Sequence, residues 1–384
     1  MTPTQLESRG YVSDLAAYRR DLREYLGSLD WAEDWRVPAT SSADGLARDA
    51  RALAKIYDAG WNRYGWPESA GGFGGTELHR AVYYDEIAAA RLHIPAQHFT
   101  LETLGPALLA FAPELAAEYL SGYLSGQHWF GQCFSEPESG SDLATLRCRA
   151  TEHDDHLVLT GQKIWTSQGP TAAKFLVLAR TGTPESRHRG LTTLLVDADA
   201  PGVVVRPIAL ASGREEIAEI FFEDVHVPRD RLVGGIGQGW AVAMHLMQWE
   251  RGMYGYAVLA DSIARLTILR DHLLATGAGT RFQERFTEVY LAVVQAQARC
   301  AVTVRALAAG RTVGANSSVD KLLFSHAEKD LLDFAMDVHA ESLLVGGDDV
   351  LRAEWWYSRT ATLMGGTAQI QRGIVADHLL GLQK

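Results

Sequence analysis

The sequence predicts an α+β protein with several domains, in which a middle β domain separates two helical domains. Apolar residues recur every three or four positions up to about residue 128, the period changes to two from 129 to about 232, and the helical period then returns. The predicted domains are therefore residues 1–128, 129–232 and 233–384. A chain of 384 residues is long enough for two or three such units.

The N-terminal domain is predicted from helical stripes of apolar residues. Two stripes run over 15–26 and 46–57, and further helices are predicted from about 77 to 124. Between them, the Gly-rich segment 65–75 predicts a loop. These helices have short connections, as expected for a compact helical domain.

The middle domain is predicted from short runs rich in β-branched residues. Such runs occupy 175–179, 191–196 and 203–207, and an alternating run at 220–228 ends at a proline. This spacing predicts a β-barrel or a β-sandwich.

Helical periodicity after residue 233 predicts a C-terminal bundle of four helices. Their approximate ranges are 239–275, 281–309, 317–345 and 366–380. The Gly-rich segment 234–239 lacks the Lys-Ser/Thr of a phosphate-binding loop, so we interpret it as the turn that leads into this domain.

Composition excludes several functional classes. A net charge of −11 argues against a nucleic-acid-binding surface. No apolar run approaches the ~20 residues of a membrane helix, and residues 1–11 lack the pattern of a secretory or transit peptide. Cys133, Cys148 and Cys300 are too few and too scattered for a disulfide framework or a zinc site. We therefore expect a cytoplasmic protein with reduced, buried thiols, no metal and no membrane or nucleic-acid partner.

Two motifs at the start of the middle domain are candidates for ligand binding. Residues 131–142 read G-Q-C-F-S-E-P-E-S-G-S-D, and residues 161–169 read G-Q-K-I-W-T-S-Q-G. The small residues and hydroxyls of the first motif suit a bound anion or the edge of an aromatic ring. Taken alone, that motif fits a surface connection between domains equally well.

With two further motifs, the chain resembles the acyl-CoA dehydrogenase family. S-E-P-x-x-G-S-D and G-Q-K-x-W-x-S/T are similar to the family's flavin-binding core, G-G-T-A-Q-I-Q-R at 365–372 resembles its C-terminal motif, and residues 60–75 resemble its N-terminal signature. The motifs lie in family order and at family spacing. The resemblance implies the α–β–α fold, FAD as cofactor, an acyl-CoA or acyl-carrier thioester as substrate, an electron-transfer flavoprotein as electron acceptor, and a tetramer formed by the C-terminal helices.

The first motif supplies four of the residues implied to bind ligands. Phe134 and Ser135 are implied to contact the pyrimidine edge of the flavin ring. Gln132 stands beside them, where the family often has a tyrosine. Ser141 is implied to contact either the FAD pyrophosphate or the pantetheine of the substrate.

The remaining cofactor contacts are implied by the second and the C-terminal motifs. Trp165 is implied to lie against the flavin ring, with Thr166 and Ser167 near N5. The alternative for Trp165 is an ordinary core aromatic. Thr367 and Gln369 begin the last predicted helix, whose free N–H groups and dipole favour the flavin phosphates.

The resemblance also implies the catalytic base. In the family, a carboxylate removes the α-proton of the thioester while the β-hydrogen leaves as hydride to flavin N5. The commonest base position directly precedes the C-terminal Gly-Thr, and this sequence has Gly365 there. A second position, used in the isovaleryl-CoA and long-chain branches, falls on Glu250, and Arg251 follows it as in the family. Arg251, Gly365 and Ser141 are implied substrate contacts.

The residues around Glu250 support this role independently. Glu250 continues an apolar stripe with Met247 and Tyr254 on a helix that is apolar nearly all round from 241 to 249. A carboxylate there is expected to be buried, and burial makes it a stronger base. The alternative is a surface charge pair with Arg251, although adjacent residues do not face each other on a helix. The glycine at 365 predicts free space, compatible with branched, long or polycyclic acyl chains.

Two departures from the family pattern concern the neighbouring subunit. The usual Arg-x-x-Phe-Gly is out of register in 274–282, and the usual Gly-Gly-Tyr-Gly reads G-G-D-D at 346–349. An acidic pair would repel a phosphate. The chain therefore resembles members that form mixed α2β2 tetramers, which leaves homotetramer and heterotetramer open. A flavin oxidase or monooxygenase on the same fold is a further alternative.

Overall fold

The computed structural model describes residues 11–29, 42–344, 346 and 349–382. Its N-terminal part is helical, as predicted, with caps that explain where helices begin: the Asp14 side chain accepts from the N–H of Ala17, and Thr76 and His79 form a reciprocal capping box. The helices are α1 (Leu15–Ser28), α2 (Ser42–Asp58), α3 (Glu77–Ala89), α4 (Ala96–Phe111) and α5 (Pro113–Leu124).

The middle part is one mixed sheet. Its strands are β1 (Phe130–Cys133), β2 (Arg149–Glu152), β3 (His156–Ser167), β4 (Lys174–Arg180), β5 (Leu191–Asp197), β6 (Val203–Ile208), β7 (Ile217–Pro228) and β8 (Leu232–Val233). They pair in the order β6-β7-β3-β2-β4-β5-β8, and β1 pairs in parallel with β4. The β domain was predicted as a barrel or a sandwich, and a closed barrel is not formed, because the two-residue β8 pairs with β5 and lies at the opposite end of the strand order from β6.

The C-terminal part is helical, as predicted, but its helices are more numerous than the four that were predicted. Its helices are α6 (Gly239–Trp249), α7 (Gly255–Ala275), α8 (Gly279–Ala308), α9 (Asn316–Val338), α10 (Ala340–Leu344), α11 (Asp349–Ser358) and α12 (Ala368–His378). A π-helical turn, Glu250–Tyr254, joins α6 to α7 within what the periodicity predicted as one helix. Such turns occur frequently at functional sites.

Three apolar clusters hold these parts together. One joins the N-terminal helices to α7, α8 and α9, for example through Tyr18 and Leu259. A second lies between helices and sheet and includes Trp66, Leu176 and Val242. The third fills the inner face of the sheet. The helices from both ends of the chain therefore pack against each other and against the sheet, which brings the C-terminal motif close to the π turn.

The cysteines and the lengths of the helices can be compared with what the composition predicted. The thiols of Cys133, Cys148 and Cys300 are free and buried, as predicted. Among the described residues, every helix is either too short or too polar to cross a bilayer.

Candidate active site

A buried ion pair joins the two motifs at the start of the sheet. Lys163, on β3, is fully buried and donates from Nζ to Oε1 of Glu136 (2.8 Å) and to the carbonyl of Phe134 (3.0 Å). The Glu136 carboxylate also accepts from the N–H groups of Arg147 (2.6 Å) and Cys148 (2.8 Å). Both residues stand in the two motifs, but neither was predicted to have a role. This pair fixes the loop 134–139 against the strand that carries Trp165.

Trp165 points outward because the strand is locally distorted. The register between β3 and β7 shifts between Lys163 and Thr166, which marks a bulge. Trp165 has φ of +65°, a left-handed conformation that is strained for a residue with a bulky side chain. Its side chain is 58% exposed. The alternative of an ordinary core aromatic is therefore wrong, because the ring lies at the surface of the sheet.

The two residues after Trp165 point in different directions. Thr166 is fully buried, and its hydroxyl contacts the Cys133 thiol (3.3 Å) on the core side of the sheet. Its side chain therefore cannot contact a ligand on the outer side. Ser167 is half-buried and lies close enough to Tyr357 to affect the pKa of that phenol, which burial raises above its ordinary value. Ser167 thus connects the end of β3 to α11.

In the first motif, a hydroxyl group is available to a ligand, whereas two of the backbone carbonyls already accept hydrogen bonds. The Phe134 ring is buried and its carbonyl accepts from Lys163, while the carbonyl of Ser135 accepts from the N–H of Ile164 (2.9 Å). The half-buried Ser135 hydroxyl has no hydrogen-bond partner among the described residues. Gln132 is half-buried on β1, and Ser141 is exposed on the loop.

The carboxylate of Glu250 lies against Gly365. A Cβ added to Gly365 would overlap Oε1 of Glu250 and would come within 3.3 Å of its Cδ. The structure therefore brings together the two base positions identified by sequence, and one carboxylate fills the space of the other. Glu250 is half-buried rather than fully buried. The Glu250 carboxylate fills the place of a side chain at 365, and the room for a branched, long or polycyclic acyl chain stays a prediction.

Arg251 lies beside the second glycine of the pair. Its Nη2 would be 3.6 Å from a Cβ on Gly366, and its Nη1 donates to the Ser318 hydroxyl (3.5 Å). The alternative, a surface charge pair with Glu250, is not formed, because the Arg251 guanidinium is directed into the helices, where burial lowers its pKa against the opposing effect of Glu250. Its Nε is buried without a partner.

Gln371 holds the two glycines in place. It is fully buried on α12 and donates from Nε2 to the carbonyls of Gly365 (3.2 Å) and Gly366 (3.1 Å). Both glycines have positive φ, +65° and +92°. This role of Gln371 was not predicted, although the residue stands in the C-terminal motif.

At the start of α12, the N–H of Gln369 has no acceptor among the residues that the structure describes. Thr367 is the N-cap residue, and its hydroxyl accepts from the N–H of Ile370 (3.2 Å). The N–H of Ala368 donates to the carbonyl of Thr362 (3.0 Å). Of the first N–H groups, that of the exposed Gln369 is left for a ligand.

Two cations, Arg251 and Lys321, interact with the Glu250 carboxylate. Lys321, on α9, is buried, and burial lowers its pKa to about 8 although Glu250 and Glu328 oppose the change. Burial raises the pKa of Glu328 to about 7, with Lys321 and Arg265 opposing. Oε2 of Glu328 is enclosed without a partner. None of these helix residues was predicted to belong to the site.

The two segments that depart from the family pattern at the subunit contact form no projecting loop in the part of the chain that the structure describes. Helix α8 begins at Gly279, so Arg281 and Phe282 lie within its first turn, where the guanidinium packs over the Phe282 ring (4.9 Å). Gly346 is exposed, and residues 347–348 of the second departure lie outside the described residues.

The residues fit a flavin. An exposed Trp165, an unpaired Ser135 hydroxyl and the free N–H of Gln369 are all available to a ring with a phosphate tail. Nearby, Gln168 and Glu216 each have one buried side-chain oxygen without a partner among the described residues. The negative charge of Glu216 also helps to raise the pKa of the Tyr357 phenol. Buried polar atoms of this kind are usually satisfied by a ligand or by water.

This fold, with an α–β–α order and two flavin-type motifs joined by a buried ion pair, defines a flavoprotein oxidoreductase. The chain belongs to the acyl-CoA dehydrogenase family: residues 131–225 match the model of the acyl-CoA dehydrogenase middle domain, and residues 237–380 match that of the C-terminal domain. Family membership makes it an enzyme of lipid metabolism and implies that it binds flavin.

Relatives and solved structures agree with this assignment. The chain is 34% identical over 337 residues to acyl-CoA dehydrogenase IpdE1 of Mycobacterium tuberculosis, covering 86% of this chain and 87% of that protein. Two solved structures share the fold: the Tcur3481-Tcur3483 steroid ACAD (TM-score 0.82, 24% identity, 98% and 99% of the two chains) and the ChsE4-ChsE5 complex from Mycobacterium tuberculosis (0.78, 24%, 98% and 99%).

Proposed function

We propose that this chain catalyses the FAD-dependent α,β-dehydrogenation of an acyl-CoA thioester to the trans-2-enoyl-CoA, with Glu250 as the base. The observation that supports this role is the contact between the Glu250 carboxylate and Gly365, because it puts a carboxylate where the commonest family base would have its side chain. FAD supplies the acceptor for the β-hydrogen, which leaves as hydride.

The chain's own residues then have separate tasks. Glu250 takes the α-proton as the α C–H bond breaks, which requires that the carboxylate be ionised. Arg251 and Gln371 hold the Gly365–Gly366 segment and hence the wall opposite the base. Ser135, Ser167 and the N–H of Gln369 bind the cofactor, and the Trp165 ring covers it. Ser141, exposed on its loop, contacts the pyrophosphate or the pantetheine.

The first test is the visible spectrum of the purified chain, followed by anaerobic addition of acyl-CoA esters. The panel contains isobutyryl-, octanoyl- and palmitoyl-CoA and the CoA ester of a steroid carboxylic acid. A bound flavin that bleaches with one ester supports the proposal and identifies the acyl class. Fast reaction of the reduced flavin with oxygen would instead favour an oxidase.

Glu250→Gln tests the base directly. This variant keeps the shape of the side chain and removes its ability to take a proton, so bleaching should slow by at least about 10²-fold. Glu284→Gln, at an exposed position of α8, is the matched control and should bleach normally. Wild-type turnover by Glu250→Gln would show that another group is the base.

The second proposal concerns the assembly of the enzyme, which could contain a related subunit, and leaves the reaction unchanged. Arg281 and Phe282 lie in a helix rather than in a projecting loop, and both solved structures compared above are described by two subunit names. We propose a tetramer with copies of itself or with a related subunit, and an electron-transfer flavoprotein as acceptor. Co-purification with the tagged chain from its own host distinguishes the two: a related second subunit supports the heterotetramer.

A further inference from the structure

The π turn that carries Glu250 is packed against α8 at a glycine. Glu250 is the first residue of this turn and Gly252 is the third. A Cβ added to Gly252 would lie 2.9 Å from Cγ2 of Thr303, on α8, and 3.3 Å from Cδ1 of Leu307. Carbon atoms in favourable contact are about 3.5–4.0 Å apart. Any side chain at this position would therefore push the turn and α8 apart.

The Thr303 side chain is fixed, so its methyl group cannot turn away. Thr303 is buried, and as a β-branched residue it has few accessible rotamers. Its hydroxyl accepts from Nη1 of Arg299 (3.2 Å) and donates to Oδ2 of Asp320 on α9. Rotation would break both bonds and would cost Asp320, which is fully buried, one of its partners. The methyl group of Thr303 is thus held against Gly252.

A second helix packs on the other end of the same turn. A Cβ on Gly255, the first residue of α7, would lie 2.6 Å from Cδ1 and 2.8 Å from Cε1 of Phe324, on α9. The Phe324 ring is fully buried. Two helices therefore touch the backbone within five residues of Glu250, and the position of the turn depends on how closely they approach it.

The position of the turn matters because its first side chain must meet Gly365. The Glu250 carboxylate occupies the place of a Cβ on Gly365, a fit that a small displacement of the turn would lose. The turn is also π-helical, with hydrogen bonds from i to i+5. A return to the α-helical pattern would remove the extra residue and change the direction of the Glu250 side chain.

We propose that Thr303 is a positioning residue for the base: its methyl group holds the π turn at the distance from α8 at which the Glu250 carboxylate lies against Gly365. This inference rests on the proposed role of Glu250. Thr303 itself touches neither substrate nor cofactor, and it acts through Gly252. It should therefore affect the rate of proton removal rather than the binding of the ester.

Gly252→Ala is the first test. The residue lies in a helical turn, so alanine is compatible with its backbone and the contact with Thr303 decides the outcome. Because misplacement of a catalytic group by about 1 Å can cost about 10²-fold in rate, anaerobic flavin bleaching at saturating ester should slow by that order. The ester is the member of the panel that bleaches the wild-type protein fastest. The ester concentration that gives half of the limiting rate should be unchanged, as expected when only the reacting step is impaired.

Thr303→Ser provides the rescue. Serine keeps the hydroxyl that bonds Arg299 and Asp320 and lacks only the methyl group. In Gly252→Ala/Thr303→Ser the alanine methyl takes the place of the threonine methyl, so most of the lost rate should return. Thr303→Ser alone leaves the contact short of one methyl group and should bleach severalfold more slowly than the double variant. This second comparison tests the inference even if Gly252→Ala alone does not fold.

The matched control is Gly122→Ala, on α5. It makes the same substitution at another closely packed helical glycine, where a Cβ would overlap the His128 ring. This variant should lose stability and should keep the wild-type limiting rate per bound flavin. It therefore separates the effect of overpacking a helix from the effect of moving the π turn.

The outcomes distinguish this inference from the proposed function. Normal bleaching by Glu250→Gln would remove the base assignment and this inference with it. If Glu250→Gln bleaches slowly, a wild-type limiting rate in folded Gly252→Ala would overturn the positioning role and leave the base in place. Equal rates in Thr303→Ser and the double variant would have the same meaning, since the contact would then be merely structural.

Discussion

At the scale of a single residue, the missing side chain of Gly365 leaves room for the carboxylate of Glu250, the proposed base. At this position φ is +65° and the place of a Cβ is already filled by the Glu250 carboxylate. Gly365→Ala should therefore cost about 1–2 kcal/mol of stability through backbone strain, and it must also displace the carboxylate. Because misplacement of a catalytic group by about 1 Å can cost about 10²-fold in rate, flavin bleaching should slow by about that factor.

The control for this substitution is Gly373→Ala, on α12. A Cβ there meets no atom within 4 Å, and alanine is favoured over glycine within a helix by roughly 0.5–1 kcal/mol. Gly373→Ala should bleach normally and unfold at an equal or higher denaturant concentration. Equal bleaching rates for the two variants would show that the Glu250–Gly365 contact has no role in proton removal.

Lys163 is a residue whose contribution to stability should be large. Its ammonium is fully buried, and Lys163→Met would leave the buried Glu136 carboxylate without its cation. Breaking such a pair costs about 3–5 kcal/mol, measured as a fall in the free energy of chemical unfolding. Lys174→Met breaks a pair whose partner, Asp197, is half exposed, and such pairs contribute about 1 kcal/mol or less. Similar losses in both variants would contradict the structural role of the Lys163–Glu136 pair.

Helix α9 carries carboxyl groups that make stability depend on pH. Burial raises the pKa of Glu328 from 4.5 to about 7, so the folded state holds the proton that the unfolded state has already released. The stabilisation is complete below pH 4.5 and is lost as pH rises to about 7. Glu328→Gln cannot ionise and should unfold at a higher urea concentration than wild type at pH 8, with a smaller difference at pH 5.

Asp320 could obscure this comparison, since burial raises its pKa to about 6. Its effect is present in both proteins and cancels in the difference between them. Glu284→Gln, an exposed substitution on α8, should leave the pH dependence unchanged. A constant difference between wild type and Glu328→Gln from pH 5 to pH 8 would contradict the assignment to Glu328.

The elements of this fold were predictable to the extent that they depend on local sequence. Apolar residues spaced three to four apart predicted the helical parts, and apolar residues spaced two apart predicted the sheet, so the α–β–α order was predicted correctly. The predicted strand at 175–179 lies within β4 (Lys174–Arg180). Sheet closure was not predictable, because strand pairing joins distant residues. The π turn was not either, since Glu-Arg-Gly-Met-Tyr is compatible with an ordinary helix, and its shape depends on packing such as that of Gly252 against Thr303.

The site was predictable where motifs carried it, and less so where contacts join distant residues. The resemblance placed Glu250 and Gly365 at alternative base positions, but only the fold shows that they touch. Thr166 was predicted beside the flavin because it follows Trp165, whereas the bulge turns it into the core. Lys321 gave no signal in the sequence, since a lone lysine in a helix is typical of an exposed face.

At the level of the whole molecule, the long helix α8 (Gly279–Ala308) presents a surface that should be covered in the assembled enzyme. Leu291 and Val302 are 49% and 54% exposed and lie eleven residues apart, which is about three turns and hence the same face. Exposed apolar residues on one face typically mark a protein interface, and a tetramer is expected for this family. Val302→Glu should therefore reduce the particle from four chains to fewer, measured by light scattering.

The matched control is Val204→Glu, on β6, where the side chain is 37% exposed at the far edge of the sheet. It adds the same charge and should leave the particle mass unchanged. The flavin content of the smaller Val302→Glu particle then separates the two assemblies that the chain could form. Retained flavin would indicate that each chain binds its cofactor by itself, whereas loss of flavin with retained helical content would indicate that a neighbouring subunit completes the site.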